Sequence, residues 1–184
     1  MILYIHGFGS SGQGGKSSLF REYFKQHNIA FIAPSLSYVP FLAMSTLEEL
    51  IETYEGEITL MGSSLGGYYS IYLAEKYGLK AVLINPAVQS ARTLNRVIAL
   101  NGHAKNYYDE SFFEWNTSHI DMLKAYEVSS STAEYLILVQ KGDEVLDYTE
   151  VLDKIPQGQS IVEEGGSHAF DDISRHFARI HAFI

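Results

Sequence analysis

Apolar residues along this chain follow two rhythms. Short continuous runs, closed by glycine or proline, alternate with longer stretches in which apolar residues recur every three or four positions. The first rhythm marks buried strands and the second marks amphipathic helices. Ile2–His6, ended by Gly7, is a run of the first kind. Ala30–Ala33 (closed by Pro34), Ile58–Gly62, Ala81–Asn85 (closed by Pro86) and Tyr135–Gln140 are four more, and Gln159–Glu163 is the sixth predicted strand. Between them, Ser18–His27 carries Leu19, Phe20, Tyr23 and Phe24 at helix spacing. Ser35–Met44 reads as a loop containing Pro40, and Ser45-Thr46-Leu47-Glu48-Glu49 opens a helix with two overlapping capping boxes. Its core stripe is Leu47, Leu50, Ile51 and Tyr54, and Gly56 stops it. A helix from Leu65 to about Tyr77 stops at Gly78. Asp147–Lys154 is another, and Phe170–Ile184 is a terminal helix with Phe170, Ile173, Phe177, Ile180 and Ile184 on one face. Strands alternating with helices over short connections predict an α/β fold, a parallel sheet of about six strands covered on both faces.

Ala87–Ala133 breaks the alternation. No strand is predicted there. Leu94, Val97 and Ile98, and then Ile120 and Leu123, fit short helices, and the stretch Asn106–Trp115 between them is dense in aromatics. This segment reads as a helical cap over the carboxyl ends of the strands. The alternative is one more sheet-covering helix with its loops. With no internal repeat or linker, residues 1–184 form one expected domain.

Composition works mainly by exclusion. With 46% apolar residues in 184, the chain can bury a full core. A net charge of −9 with no long basic run repels a nucleic-acid backbone. There is no cysteine, so disulfides, thiolate chemistry and cysteine-based zinc sites are excluded. No histidine pair has helix ligand spacing with a partner acid, so no metal is expected. The first residues lack a basic region and a cleavage site, and no apolar run approaches a membrane span. A cytoplasmic location is the default expectation.

The candidate chemistry centres on Gly62-Ser63-Ser64-Leu65-Gly66, a G-x-S-x-G sequence between a predicted strand and a predicted helix. In that context the pattern is a nucleophile elbow, with Ser64 on the sharp turn. Gly62 and Gly66 remove side chains that would collide as strand and helix close, and Gly67 lets the helix approach the sheet. A serine hydroxyl needs a base, and the base needs an orienting group. In this kind of sheet they follow in chain order, acid and then histidine, each just past the end of a strand. Asp143 comes three residues after Gln140, and His168 follows the last strand through Gly165 and Gly166. Glu144 and Asp147 are the rivals of Asp143. Glu144 should point away if Asp143 points in, and Asp147 suits the start of the next helix. His27, His103, His119, His176 and His181 fit surface or packing roles. The oxyanion donors are assigned to the backbone N–H groups of Leu65, after the nucleophile, and Phe8, after the first strand. His6 is expected to brace that loop.

The glycine loop has two rival readings. Gly7-Phe8-Gly9-Ser10-Ser11-Gly12 matches a dinucleotide fingerprint, but the second strand ends without the acid that would bind a ribose. Gly15-Lys16-Ser17 resembles the end of a phosphate-binding loop, but Ser10 stands where the first glycine belongs. Nucleotide binding is therefore not expected, and the chemistry above needs no cofactor.

Several strings resemble one known family. His6-Gly7-Phe8 with Ser10, Ser11 and Lys16, then Gly62–Tyr69, Asn85-Pro86-Ala87-Val88, Gly142–Tyr148 and Glu164–Phe170 are similar to the YqiA-type esterases, small bacterial α/β-hydrolases. The motifs run from the first strand to the last. The resemblance implies an α/β-hydrolase fold and carboxylic-ester hydrolysis, with acyl thioesters (acyl-CoA) as the alternative, and its triad falls on Ser64, Asp143 and His168. Tyr107, Phe112, Phe113 and Trp115 are candidates for an apolar acyl site, the alternative being packing of the insertion. An intact triad in chain order argues against a non-catalytic binding module, and nothing marks a peptide groove. The partner is then a small acyl ester or thioester. Acyl length, leaving group and oligomeric state have no sequence signal.

Overall fold

The computed structural model describes residues 1–100 and 102–184. The elements in chain order are β1 (Ile2–Ile5), α1 (Gly15–Gln26), β2 (Phe31–Ile32), α2 (Pro40–Thr53), β3 (Thr59–Ser63), α3 (Leu65–Tyr77), β4 (Lys80–Ile84) and α4 (Ser90–Leu100). Then follow β5 (His103–Lys105), β6 (Phe112–Glu114), α5 (Thr117–Lys124), β7 (Tyr135–Gln140), α6 (Tyr148–Lys154) and β8 (Gln159–Glu163). A 3₁₀ turn (Ile173–His176) leads into α7 (Phe177–Phe183).

Six strands form one sheet in the order β2-β1-β3-β4-β7-β8, every neighbouring pair parallel. Alternating side chains feed two cores. Leu3, Ile5, Leu60, Leu83 and Ile137 face Met44 and Leu47 of α2, Leu73 of α3 and Val151 of α6. Ile2, Tyr4, Met61, Val82 and Leu138 face Phe20 and Phe24 of α1 and Ile180 and Phe183 of α7. Burial on both faces is why β1, β4 and β7 read as nearly unbroken apolar runs. This is an α/β-hydrolase fold.

The structure corrects three local readings. Helix α2 begins at Pro40, not Ser45. Proline's missing N–H and preset φ suit the first helical position, where that N–H would have no partner. Ala43 N–H donates to the Val39 carbonyl, and Thr46 Oγ1 donates back to the Leu42 carbonyl from inside the helix. Tyr54 lies past the end of α2 and is exposed. Second, the terminal segment is not one helix. Phe170 and Asp172 have φ of 62° and 51°, and regular helix begins only after the 3₁₀ turn. Buried Gln140 holds that turn by accepting from Asp171 N–H and donating to the Asp171 carbonyl. Third, the insertion contains strands. β5 and β6 pair antiparallel, with Ala104 opposite Phe113. Asn106 and Asp109 side chains accept N–H groups of Tyr108 and Ser111 inside the connecting turns. Three-residue strands are too short to show an alternation in sequence.

Candidate active site

Ser64 stands between β3 and α3 with φ 55° and ψ −120°. Such a backbone costs a non-glycine residue roughly 1–3 kcal/mol. The surroundings enforce it. Ser64 N–H donates to the Ile84 carbonyl, and the Ser64 carbonyl accepts from Gly67, Tyr68 and Ala87 N–H groups. A Cβ on Gly62 would overlap the Gly66 carbonyl, one on Gly66 the Ile5 carbonyl of β1, and one on Gly67 the Pro86 ring. Gly66→Ala is therefore expected to cost about 3 kcal/mol or more, the top of the usual overpacking range, because the obstacle is backbone. Urea unfolding reads this directly. Gly15→Ala is the control, since a Cβ there meets nothing within 4 Å. Equal midpoints for the two variants would remove the steric account.

The loops after β7 and β8 bring two further side chains to Ser64. His168 Nε2 lies 3.0 Å from Ser64 Oγ, and His168 Nδ1 lies 2.9 and 3.0 Å from the two Asp143 carboxylate oxygens. A carboxylate only accepts, so Nδ1 carries the proton and Nε2 is free to accept from the serine hydroxyl. The Asp143 side chain is only 3% exposed. Burial by itself would raise its pKa, but hydrogen bonds from His168 and from the Leu146 and Val145 N–H groups outweigh that and hold it below the ordinary carboxylate range.

The histidine loop is tied down from three sides. His168 N–H donates to Glu144 Oε2 at 3.0 Å, so Glu144 touches His168 through its backbone while Asp143 takes the ring. Asn85 Nδ2 donates to the carbonyls of Ser167 and His168, and Gln140 Oε1 accepts Ser167 N–H. Asp147 caps α6 by accepting Thr149 N–H. Asn85 and Gln140 were given no role in the site from sequence, and Glu144 was weighed only as the rival of Asp143. Their position, at or just past the ends of β4 and β7, was the signal that could have found them.

Leu65 follows Ser64 in the chain, and Phe8 lines both cavities that reach Ser64. A Cβ on Gly7 would stand 3.8 Å from Ser64 Oγ, which shows how closely the loop after β1 approaches. Among the described residues, neither the Leu65 nor the Phe8 backbone N–H donates to a protein acceptor. His6 latches this loop. Leu36 N–H donates to His6 Nε2, so His6 Nδ1 carries the proton and donates to the Gly7 carbonyl. Burial holds His6 below the ordinary imidazole range, against the opposite pull of that carbonyl.

Two cavities flank Ser64 and share Phe8, Tyr107 and His168. One, of about 180 Å³, is walled by Ala87, Leu94, Val145 and Leu146. The other, of about 300 Å³, is walled by Ser10, Lys16 and Ser63. Of the four aromatic candidates, Tyr107 reaches both cavities while remaining 77% exposed. Phe112 is 71% exposed and reaches neither. Phe113 packs edge-on against Phe8 from behind. Trp115 is fully buried, its Nε1 donating to the Leu94 carbonyl and its ring 4.7 Å from that of Phe8. Trp115 and Phe113 thus support the loop carrying Phe8 rather than line either cavity. The aliphatic wall from the loop after β4, α4 and the loop after β7 was missed, because its residues are far apart in the chain.

Among the described residues, no cluster of three or more His, Asp or Glu side chains is placed to hold a metal, and no helix is long and apolar enough to cross a membrane.

Solved structures share this architecture. The mouse alpha/beta hydrolase domain-containing protein 10 superposes with a TM-score of 0.79 at 18% identity, covering 98% of this chain and 86% of that one. Est1E from Butyrivibrio proteoclasticus, solved with ferulic acid, gives 0.73 at 12% identity over 97% and 85%. A monoacylglycerol lipase from Paleococcus ferrophilus gives 0.73 at 16% over 98% and 91%. At these identities the likeness is one of fold. In sequence, the chain is 25% identical to the UPF0227 protein VP0969 of Vibrio parahaemolyticus and 24% identical to PM0825 of Pasteurella multocida, in each case over 188 residues covering 100% of this chain and 98% of the relative. The profile of the uncharacterised protein family UPF0227 matches residues 1–184. This chain therefore belongs to the UPF0227 family, the YqiA-type group that its motifs resemble.

Proposed function

We propose that this protein is a serine hydrolase that cleaves carboxylic esters through an acyl-enzyme on Ser64. The observation that carries this reading is the unbroken chain from Ser64 Oγ through His168 to Asp143. His168 Nε2 takes the Ser64 proton as Oγ bonds to the ester carbonyl carbon. The carbonyl oxygen becomes an oxyanion held by the Phe8 and Leu65 N–H groups. The C–O bond to the alcohol breaks, and the imidazolium returns its proton to the departing alkoxide. Water then gives a proton to His168 and its hydroxyl to the acyl carbon, and Ser64 leaves with the proton. Asp143 holds the Nδ1–H tautomer and stabilises the imidazolium. The names of two structural neighbours, a lipase and an Est1E holding ferulic acid, are in keeping with acyl chemistry on this fold.

A fluorophosphonate tests the reading without knowledge of the substrate. Intact-mass analysis is expected to show one phosphonyl adduct, on the peptide carrying Ser64, and none in Ser64→Ala. An unlabelled wild type would point to a binding module that kept the fold and lost the chemistry.

A further inference from the structure

Lys16 is half-buried in the first turn of α1, in the wall of the larger cavity. Its Nζ donates to Ser63 Oγ at 2.8 Å, one residue from the nucleophile. That single bond goes to a neutral group, and among the described residues no carboxylate lies within 4.0 Å of the ammonium. An ammonium has three donors and one is used here, and Lys16 lines a space shared with Ser64 and His168. Holding a cation this way is costly unless an anion completes the site. Desolvation lowers its pKa to about 8, partly opposed by Asp143, so at neutral pH the charge is still present. Hydrogen bonding to Ser63 alone does not need a charge.

The two cavities differ in charge: one holds the Lys16 ammonium, and among the described residues the other has no Lys or Arg in its wall. The one walled by Ala87, Leu94, Val145 and Leu146 offers an acyl chain aliphatic contact. The one holding Lys16 is rich in hydroxyl and backbone groups from Ser10, Ser11, Gly14 and Gly15. Both cavities reach Ser64 and His168, so an acyl chain against the aliphatic residues leaves the cavity holding Lys16 for the alcohol half.

We propose that Lys16 forms an anion subsite for the alcohol half of the substrate, so that the preferred esters carry a carboxylate or a phosphate on the leaving group. This rests on the serine-esterase reading above. The test compares phenyl butyrate with 3-carboxyphenyl butyrate and 3-(phosphonooxy)phenyl butyrate, in wild type, Lys16→Met and Lys16→Arg. The ratio of kcat/KM for an anionic ester to that for phenyl butyrate is taken within each preparation, so partial misfolding cancels. Dividing the variant's ratio by the wild-type ratio cancels each ester's intrinsic reactivity. Lys16→Met is expected to lose at least about tenfold in this ratio, the size of one charged hydrogen bond, while Lys16→Arg keeps most of it. Loss for the carboxylate alone, the phosphate alone or both identifies which anion the subsite takes. An unchanged ratio for both overturns the proposal. So does a loss seen instead with monophenyl glutarate, whose charge is on the acyl side. Binding of 3-hydroxybenzoate and 3-hydroxyphenyl phosphate, the free alcohols, is measured by calorimetry as a turnover-independent readout. At least one should bind wild type about tenfold more tightly than Lys16→Met. Equal binding of both overturns the subsite, whereas absence of phenyl butyrate turnover alone overturns the esterase reading.

Discussion

Ser64→Ala is expected to lower kcat for p-nitrophenyl butyrate by on the order of 10⁶-fold, leaving only what backbone donors and binding supply. The size follows from the geometry. Oγ is the one atom of Ser64 in the chain to His168 and Asp143, and among the described residues no other hydroxyl is hydrogen-bonded to His168. Ser63 is adjacent, but its Oγ accepts from Lys16 and lies within β3, buried. The loss will not be one of folding. Alanine keeps the same strained φ of 55°, and Ser64→Gly, which relieves it, is expected to unfold at a urea concentration equal to or above that of wild type. Equal rates in wild type and Ser64→Ala would mean that another nucleophile, or a contaminant, does the work. A Ser64→Gly variant much less stable than wild type would mean that the backbone there is not strained.

Asp143→Asn is expected to lower kcat by roughly 10³–10⁴-fold with little change in stability. The asparagine carbonyl oxygen can still accept the Val145 and Leu146 N–H groups that Asp143 Oδ1 accepts. Its amide NH₂ then faces His168 Nδ1 and donates to it. That moves the imidazole proton to Nε2, where it faces Ser64 Oγ and can no longer receive the serine proton. The two neighbouring acids give the contrast. Among the described residues Glu144 accepts only the His168 backbone N–H, which a glutamine oxygen also accepts. Asp147 caps α6, which asparagine does equally well. Glu144→Gln and Asp147→Asn are thus expected within about tenfold of wild-type kcat, since neither removes an interaction with a reacting atom. Either of them inactive with Asp143→Asn near wild type would reassign the acid.

How much of this was legible beforehand differs by element. β7 and β8 match their predicted strands residue for residue: β7 is a buried apolar run, and β8, an edge strand with Val162 exposed, is set off by Gly158 and Gly165. The insertion was less legible. Its hairpin strands have no room for a period, and the aromatic density of Asn106–Trp115 does not separate a ring that faces a cavity from one that fills the core. Tyr107 and Trp115 are eight residues apart in the same stretch and end in opposite situations, one mostly exposed and one wholly buried.

The candidate site divides in the same way. Ser64, Asp143 and His168 could be placed from sequence because each follows a strand at a turn with its own local chemistry. Apolar period, glycine breaks and chain order are properties of neighbouring residues, and neighbouring residues are all that a sequence displays directly. By itself the sequence determined the parallel sheet, the elbow and the order of its polar turn residues. The tertiary structure alone decided which side chains meet across the sheet ends. Lys16 reaches Ser63 from 47 residues away, Asn85 holds the carbonyls of Ser167 and His168 from 82 and 83 away, and Leu94 shares a cavity with Val145 and Leu146. Such meetings depend on how six parallel strands align their carboxyl ends, a packing outcome of the whole chain with no trace in the spacing of any one segment.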